Sequence, residues 1–465
     1  MVRELGEQVT KWFQKYMPDA FVFAILLTLI VVIAALLCTD TSPMGIIIAW
    51  YDGFFDLLAF GMQIVLIIIT GFAIALSPSV NKGIDLMTRF IKTPFQTYLF
   101  VVMIGMLLSL VSFGWLVITA VLARELALRI KGVHYPFLIA CVYISMNSWV
   151  MGLSSSIPLL LNTENNFLIK EGILSDVVPS SATLGSPLNL TMMGLMVFGA
   201  PLLMVLLAPK KPQSKALEDL RPASSEMKEP SIEREAESNV SEKRNVSDRL
   251  NHSMPLQALI TIMGVSYIVY HFATKGLDLN FNIMIFIFLI LGMALHKTPI
   301  GFVIAMKRAS SNVSGVLFQY PFYAGIMGIM GYTGLGNQLA EGLATVATVD
   351  TFPFFAYLTG GVVNFAIPSA GGEFAVVGPG MLAAVQELGH GLPEQQITAM
   401  VSRASLSIAY GESLSNMLQP FYLLLVLPIM AKGVRLQARD VMGHLLIPFL
   451  LFFIIQVIVV TVVPL

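Results

Sequence analysis

The sequence predicts an all-α protein that crosses a membrane many times, because it is unusually apolar and contains repeated long apolar runs. Of its 465 residues, 56% are hydrophobic and only 12% are charged, and the mean hydropathy is +0.79. Soluble domains carry about a quarter charged residues, so a soluble fold this apolar would lack a polar surface. The net charge of −1 is uninformative about nucleic acids, but the sequence contains no basic arm or basic helix that could follow a phosphate backbone.

Nine apolar runs are predicted to be transmembrane helices. A helix needs about 20 mainly apolar residues to cross a bilayer. The nine predicted spans are 20–38, 58–76, 135–161, 188–208, 254–271, 281–295, 312–333, 398–430 and 441–463. Residues 1–19 are charged and amphipathic and have no signal-cleavage pattern, so they predict an interfacial helix followed by a true span.

Two further apolar stretches are interrupted by small and polar residues at their centres. Residues 97–123 break at Ser112-Phe113-Gly114, and residues 353–388 break between Asn364 and Glu373. Each arm has about 14 residues, or about 21 Å of helix, which is shorter than the ~30 Å hydrocarbon core. The pattern predicts two re-entrant hairpins, over 97–130 and 353–388. The alternative is one kinked span in each place.

Positive charge indicates the orientation. With both hairpins re-entrant, 24 of the 27 Lys and Arg residues fall on the side of the N-terminus, which is the pattern of cytoplasmic segments. The segment 209–253 belongs to that side, and its nine acids, nine bases and few large apolar residues predict a linker without stable order. We expect a multi-pass protein of the cell inner membrane, with the N-terminus and this linker in the cytoplasm.

The two halves of the chain repeat one order of elements. Residues 20–208 and 272–465 each predict two spans, a hairpin, a long broken span and a final span. The connecting transmembrane helix 254–271 would invert the second half relative to the first. Inverted repeats of this kind are a recurrent architecture of secondary transporters.

The two longest spans, 135–161 and 398–430, carry polar residues and prolines near their centres. Proline interrupts the helical hydrogen bonds, and the freed backbone groups must find partners, which favours unwound segments that line a binding site. Small residues also pack membrane helices together, so packing is the alternative for any one of them. The candidate substrate-binding residues, from these breaks and the hairpin tips, are Ser112, Gly114, Asn147, Ser148, Ser154, Ser155, Asn364, Ser369, Gly371, Gly372, Ser413, Asn416 and Gln419.

A few charged residues lie at or near predicted membrane depth, where charge is costly and usually functional. Glu412, Glu373 and Ser415 are the candidates for handling a coupling ion, either Na⁺ or H⁺. Arg403 is either a partner for a substrate carboxylate or an interfacial anchor. An inside-negative potential opposes anion entry by roughly 2.3 kcal/mol per charge per 100 mV, so uptake of a small organic anion requires an accompanying cation. We expect no cofactor, no metal other than Na⁺, and no enzyme activity.

The chain resembles the bacterial short-chain fatty acid (acetoacetate/butyrate) transporters, within the ion-transporter superfamily. The stretches that carry the resemblance are MPDAFVFAILLTL at 17–29, WYDGFFDLLAFGMQ at 50–63, YPFLIACVYI at 135–144, HKTP at 296–299, FQYPFYAGI at 318–326, VNFAIPSAGGEF at 363–374, IAYGES at 408–413 and NMLQPF at 416–421. The resemblance implies cation-coupled uptake of butyrate or acetoacetate, elevator-type movement and a homodimer. The tip Ala370–Phe374 departs from the family's Gly-Gly-Gly-His-Trp, and Ser148–Gly152 departs from its glycine-rich break.

Two other functions remain open from the residues alone. One is a dicarboxylate, citrate or amino-acid carrier on the same scaffold, although such a site would be expected to carry more positive charge than Arg403 alone supplies. The other is an anion channel, which would not need two matching hairpins and broken helices.

Overall fold

The computed structural model of the chain is entirely helical in the residues that it describes. The structure describes residues 15, 18–56, 58–87, 89–111, 113–163, 166–170, 172–209, 216–217, 219–220, 231–238, 245–276, 281–310 and 313–465. These residues form helices, turns and connections, with no β-strand among them. The all-α prediction is therefore confirmed, while most of the predicted interfacial helix 1–19 lies outside the described residues.

The described residues form 24 α-helices, some of them joined by short 3₁₀ or π segments. In chain order they are α1 Ala20–Cys38, α2 Pro43–Asp56, α3 Leu58–Ala75, α4 Pro78–Met87, α5 Pro94–Val111, α6 Leu116–Arg129, α7 Tyr135–Ser145, α8 Ser156–Leu161, α9 Phe167–Lys170, α10 Pro187–Gly194, α11 Ala200–Leu207, α12 Ile232–Ser238, α13 Val246–Asn251, α14 Met254–Lys275, α15 Phe281–His296, α16 Pro299–Ser310, α17 Ser314–Tyr332, α18 Leu335–Ala344, α19 Phe352–Val363, α20 Ala370–Leu388, α21 Glu394–Ser415, α22 Leu423–Met430, α23 Ala438–Met442 and α24 Leu446–Val462. Each predicted apolar stretch contains one or two of these helices.

Several of these helices have the length and apolarity of membrane spans. Within the described part of the chain, five meet both conditions, and a sixth does so if α21 and α22, which meet at a 45° bend, count as one broken span. The chain is therefore a multi-pass membrane protein.

Four short helices that the sequence analysis did not predict, α2, α4, α16 and α18, recur at matching places. In each half a long helix, a short helix, a second long helix and a second short helix precede the two arms around a tip. They are 10 to 14 residues long, too short for a search that asks for continuous spans of about 20 apolar residues. Their recurrence extends the similarity between the halves, whose inverted orientation stays a prediction.

One block of the protein contains a close helix contact made through glycine. Helix α17 lies against α1 and α2, and α15 lies against α3 and α14. Gly53 of α2 meets Gly328 of α17 so closely that a Cβ atom on Gly53 would lie 2.4 Å from the Gly328 Cα. The backbones of these helices can approach this closely only because both residues at the contact are glycine.

The described part of the central linker contains helices that its composition does not predict. Helix α12 packs against α16, burying Ile232 and Ala236. Glu235 pairs with Arg308 of α16, and His252 Nε2 lies 3.1 Å from the Ala236 carbonyl oxygen. The prediction of an unordered linker is wrong for this segment, because two apolar contacts and an ion pair anchor it to the membrane-embedded part.

Candidate functional site

The two broken helices meet at their breaks. Helix α7 ends at Ser145 and continues as a 3₁₀ segment, Met146–Met151, before α8 begins at Ser156. Helix α21 likewise ends at Ser415 and continues as a 3₁₀ segment, Asn416–Leu418. The interruptions that Pro158 and Pro420 predicted are therefore present.

Hydrogen bonds join the first break to the second. Ser413 Oγ donates to the backbone carbonyl of Asn147 at 3.1 Å and lies 3.3 Å from its side-chain oxygen. The Tyr143 hydroxyl lies 2.9 Å from the carbonyl oxygens of both Asn416 and Gln419, carbonyls that the unwound backbone leaves available. All five residues are buried, so the junction excludes bulk water.

The centre of the site is a group of five residues, Asn364, Glu412, Ser415, Asn416 and Gln419, named here the amide cluster. Asn364 follows α19 at the second tip, and its Nδ2 donates to Ser415 Oγ at 2.7 Å and to Asn416 Oδ1 at 2.8 Å. Gln419 Nε2 donates to Asn416 Oδ1 at 2.9 Å and to the Asn364 carbonyl at 3.1 Å. The tip and the break are thus held together by amide side chains.

Oxygen atoms of the amide cluster remain without a protein partner. Asn416 Nδ2 donates to Glu412 Oε1 at 3.3 Å, while Glu412 Oε2, Asn364 Oδ1 and Gln419 Oε1 are buried and accept no hydrogen bond from the described residues. Leaving a buried polar atom unsatisfied costs about 1–3 kcal/mol. Oxygen-only ligands with one carboxylate suit a hard cation or a proton. In the described part of the chain, no three His, Cys, Asp or Glu residues group as metal ligands.

The second tip places the start of α20 beside the first broken helix. A Cβ atom on Gly371 would lie 3.7 Å from Ser156 Oγ, at the first residue of α8. Ser369 precedes the helix as its N-cap without a capping side-chain hydrogen bond, and Gly372 follows in the first turn. Glu373, in the same turn, is completely buried, and neither of its carboxylate oxygens has a partner among the described residues.

The first tip is braced by the first break. Phe113 N donates to Ser154 Oγ at 3.0 Å, and Ser148 Oγ donates to the Met106 carbonyl at 2.8 Å. Gly152 lies so close to the end of α5 that a Cβ atom there would be 2.1 Å from the Leu110 carbonyl oxygen. These predicted residues therefore hold the tip in place, and Ser148 and Ser154 have their hydroxyls engaged in doing so.

The remaining predicted residues are less central. Gly114 is buried in the turn of the first tip, and Ser155 is buried immediately before α8. Ser112 lies outside the described residues. Arg403 lies nine residues before Glu412, about 13 Å along the helix axis, and its Nη1 donates to the Val460 carbonyl of α24 at 2.7 Å. The structure thus does not bring Arg403 to the amide cluster.

The sequence analysis missed an aromatic lining beside these polar groups. The ring of Phe113, at the first tip, lies 5.3 Å from Trp149 and 5.2 Å from Tyr422, measured between ring centroids. Phe421 lies 5.0 Å from Tyr422 and stacks on Tyr320 of α17 at 4.6 Å. These five residues are named here the aromatic lining. The available signal was the fragment FGW at the first tip and the fragment QPFY beside the second break.

Three more hydrogen bonds tie the site to its surroundings and were also missed. The Tyr422 hydroxyl donates to the Pro368 carbonyl at 2.7 Å, fixing the second tip against the second break. The Tyr410 hydroxyl donates to Asn189 Oδ1 at 2.8 Å, and Asn189 Nδ2 donates to the Met151 carbonyl at 3.0 Å.

The whole site offers neutral donors, unpartnered oxygens and an apolar surface. It also contains two buried carboxyls, Glu412 beside the second break and Glu373 at the second tip. These groups suit a small anion with a short apolar tail and an accompanying cation.

Comparison with known proteins gives one family. A family model described as short chain fatty acid transporter matches residues 1–463. A Haemophilus influenzae protein is 34% identical over 448 residues, covering 95% of this chain and 96% of that protein. An Escherichia coli K12 protein is 34% identical over 445 residues, covering 96% of each chain. Both relatives are provisionally named short-chain fatty acid transporters.

A solved structure gives a much weaker match. The YdaH transporter of Alcanivorax borkumensis aligns with 98% of this chain and 97% of its own, at 16% identity and a TM-score of 0.41. A similarity at this level carries no conclusion about the site.

Proposed function

The chain belongs to the short-chain fatty acid transporter family, and on that premise we propose that it is a secondary active transporter of small monocarboxylates such as butyrate and acetoacetate. We further propose that each anion moves together with Na⁺ or H⁺. The observation that carries the proposal is the junction of two broken helices, where the amide cluster adjoins the aromatic lining.

The aromatic lining supports a substrate with a short apolar tail. The five rings offer an apolar surface against which the alkyl chain of the substrate would pack, and each methylene group is worth about 0.8 kcal/mol when buried. A carboxylate would then be bound by neutral donors and by the first turn of α20, where unsatisfied backbone N–H groups favour an anion. The candidate substrate residues of the sequence analysis are proposed in this role, with Ser148 and Ser154 bracing the first tip.

The amide cluster supports coupling to a cation. Its three buried oxygens without partners are one from the Glu412 carboxylate and two from the amides of Asn364 and Gln419. A buried carboxylate costs several kcal/mol unless it is neutralised, so the cluster would hold a cation or a proton in the loaded state. We therefore propose Glu412 and Ser415 as coupling-ion residues.

The proposed movement is of the elevator type, on inverted repeats with two re-entrant hairpins. Helices α19, α20, α21 and α8 pack together around the site, while α17 packs mainly on α1 and α2 and reaches the site through Tyr320. The first group would slide against the second and expose the site to each side in turn. A homodimer in the cell inner membrane, with the N-terminus and linker in the cytoplasm, completes the proposal.

A dicarboxylate or citrate carrier is the second candidate on this scaffold. A second carboxylate would require more positive charge at the site, and the guanidinium of Arg403 is engaged with the Val460 carbonyl instead. The buried groups facing the junction include two carboxyls, Glu373 and Glu412, which repel an added negative charge. The site therefore favours a monocarboxylate.

Uptake of labelled butyrate into liposomes that contain the purified protein tests this function. Na⁺ and H⁺ gradients are imposed separately, and the initial rate in protein-free liposomes is subtracted because butyric acid crosses bilayers unaided. We expect a saturable rate above that background under at least one gradient, and inhibition by unlabelled acetoacetate. A rate equal to the protein-free background under both gradients would contradict the proposed function.

A further inference from the structure

The first turn of α20 combines features of an anion site and a proton site. The helix has 19 residues, and its N-cap Ser369 makes no capping hydrogen bond through its side chain. The first backbone N–H groups of any helix lack partners within the helix and carry the positive end of its dipole. Ser156 Oγ, beside Gly371, is also buried and without a partner among the described residues. The start of α20 and the Ser156 hydroxyl at the start of α8 therefore lie side by side.

A carboxyl group occupies the same turn. Glu373 is completely buried, and both of its oxygens lack a hydrogen-bond partner in the described structure. Its backbone N donates to the Ser369 carbonyl at 2.7 Å, so the residue is fixed in the turn. An ionised carboxylate buried in this way would cost several kcal/mol, and it would repel a second carboxylate at the same helix start.

The charges around Glu373 do not relieve this cost. From α21, the carboxyl of Glu412 interacts with it electrostatically as a like charge, and Tyr422 faces it from beyond the second break. From α18, Glu341 contacts Gly380, about two turns further along α20. Helix α8 presents no titratable residue, and Arg403 of α21 is engaged with α24. No basic group in the described part of the chain neutralises Glu373.

We propose that the substrate carboxylate binds at the start of α20 together with a proton on Glu373, whose protonated carboxyl donates a hydrogen bond to it. This inference rests on the proposed function and narrows its coupling ion to H⁺ at this position. The substrate anion and the proton on Glu373 stabilise each other. The negative charge of the anion disfavours ionisation of Glu373, and the protonated Glu373 carboxyl donates a hydrogen bond to the anion. By thermodynamic linkage, the anion binds more tightly at a pH at which Glu373 can be protonated. Binding of one anion together with one proton adds no net charge to the site.

The test measures butyrate binding to the purified protein in detergent, so that permeation through a bilayer plays no part. Affinity is measured from about pH 6.5 to pH 9.5, where butyrate itself is ionised throughout, together with the protons taken up from a weakly buffered solution. For the wild type we expect the Kd to rise with pH, approaching tenfold per unit, with about one proton taken up per butyrate at the alkaline end. For Glu373→Gln, whose amide still donates, we expect retained binding, a Kd independent of pH and no proton uptake.

Glu387→Gln is the matched control, because Glu387 lies on the same helix but is exposed. It is expected to behave as the wild type. The proposal is overturned if wild-type binding neither weakens with pH nor takes up protons, if Glu373→Gln keeps the wild-type pH dependence, or if folded Glu373→Gln binds no butyrate at any pH. Should Glu373→Gln fail to fold, the wild-type proton uptake decides alone. If the wild-type protein binds no butyrate at any pH, that result would instead contradict the proposed function itself.

Discussion

Replacing Asn364 with alanine is expected to lower butyrate uptake by about 10- to 100-fold while the protein remains folded. The side chain donates to Ser415 at 2.7 Å and to Asn416 at 2.8 Å, and its own oxygen is one of the unpartnered atoms of the amide cluster. Removing the side chain deletes these two buried hydrogen bonds, each worth about 0.5–1.5 kcal/mol, while Asn416 Oδ1 keeps Gln419 as its donor. Each 1.4 kcal/mol lost from the transport-competent state lowers its population about tenfold.

The measurement is the initial rate of labelled butyrate uptake, corrected for protein-free liposomes, alongside thermal unfolding in detergent. Asn282→Ala is the matched control, because Asn282 accepts a hydrogen bond of 2.8 Å from Gln63 at an exposed position away from the breaks. Uptake by Asn364→Ala within twofold of the wild type would show that the amide cluster does not serve transport.

The second large effect is expected from Gly411→Val. A Cβ atom at Gly411 would lie 2.0 Å from the Tyr357 carbonyl oxygen, and one at Gly360 would lie 2.2 Å from that of Ile408. The backbones of α19 and α21 therefore touch, and this contact sets Asn364 opposite Ser415. A valine would force the helices apart, at about 3 kcal/mol or more, with a lower unfolding temperature and little remaining uptake.

Gly342→Val provides the comparison for that variant. Gly342 is exposed on α18, and a Cβ atom there meets no other atom within 4 Å. We expect it to change the unfolding temperature only slightly, through helix propensity. An unfolding temperature and an uptake rate for Gly411→Val that match those of Gly342→Val would contradict the close contact of α19 with α21.

The sequence was sufficient for features encoded locally. Prolines and polar residues within long apolar runs predicted where α7 and α21 are interrupted, and polar or charged residues in such runs gave Asn364 and Glu412 as candidates. The short helices α2 and α16 were missed, because their length gives no span signal. The linker helix α12 was missed because its order comes from Ile232 and Ala236 packing on α16, a contact that composition does not encode.

Long-range pairings could not be predicted from the sequence. Phe113 meets Tyr422, and Tyr410 meets Asn189, across more than 200 residues of chain. Nothing in the local pattern of either partner indicates the other, since side-chain periodicity reports only which face of an element is apolar. The aromatic lining therefore emerged only from the fold. The same holds for Arg403, whose contact with the end of α24 depends on how two distant helices cross.

The most direct test of a substrate site between the two tips is protection of a single thiol. Cys38 is exposed and Cys141 is buried, so Ser369→Cys in a Cys38→Ala background places one reactive thiol at the second tip. We expect butyrate at ten times its Kd to slow alkylation of that thiol about tenfold, by occupancy alone. Ser180→Cys in the same background, at an exposed position, should be unaffected. An alkylation rate at Ser369→Cys that saturating butyrate leaves unchanged would contradict the proposed site.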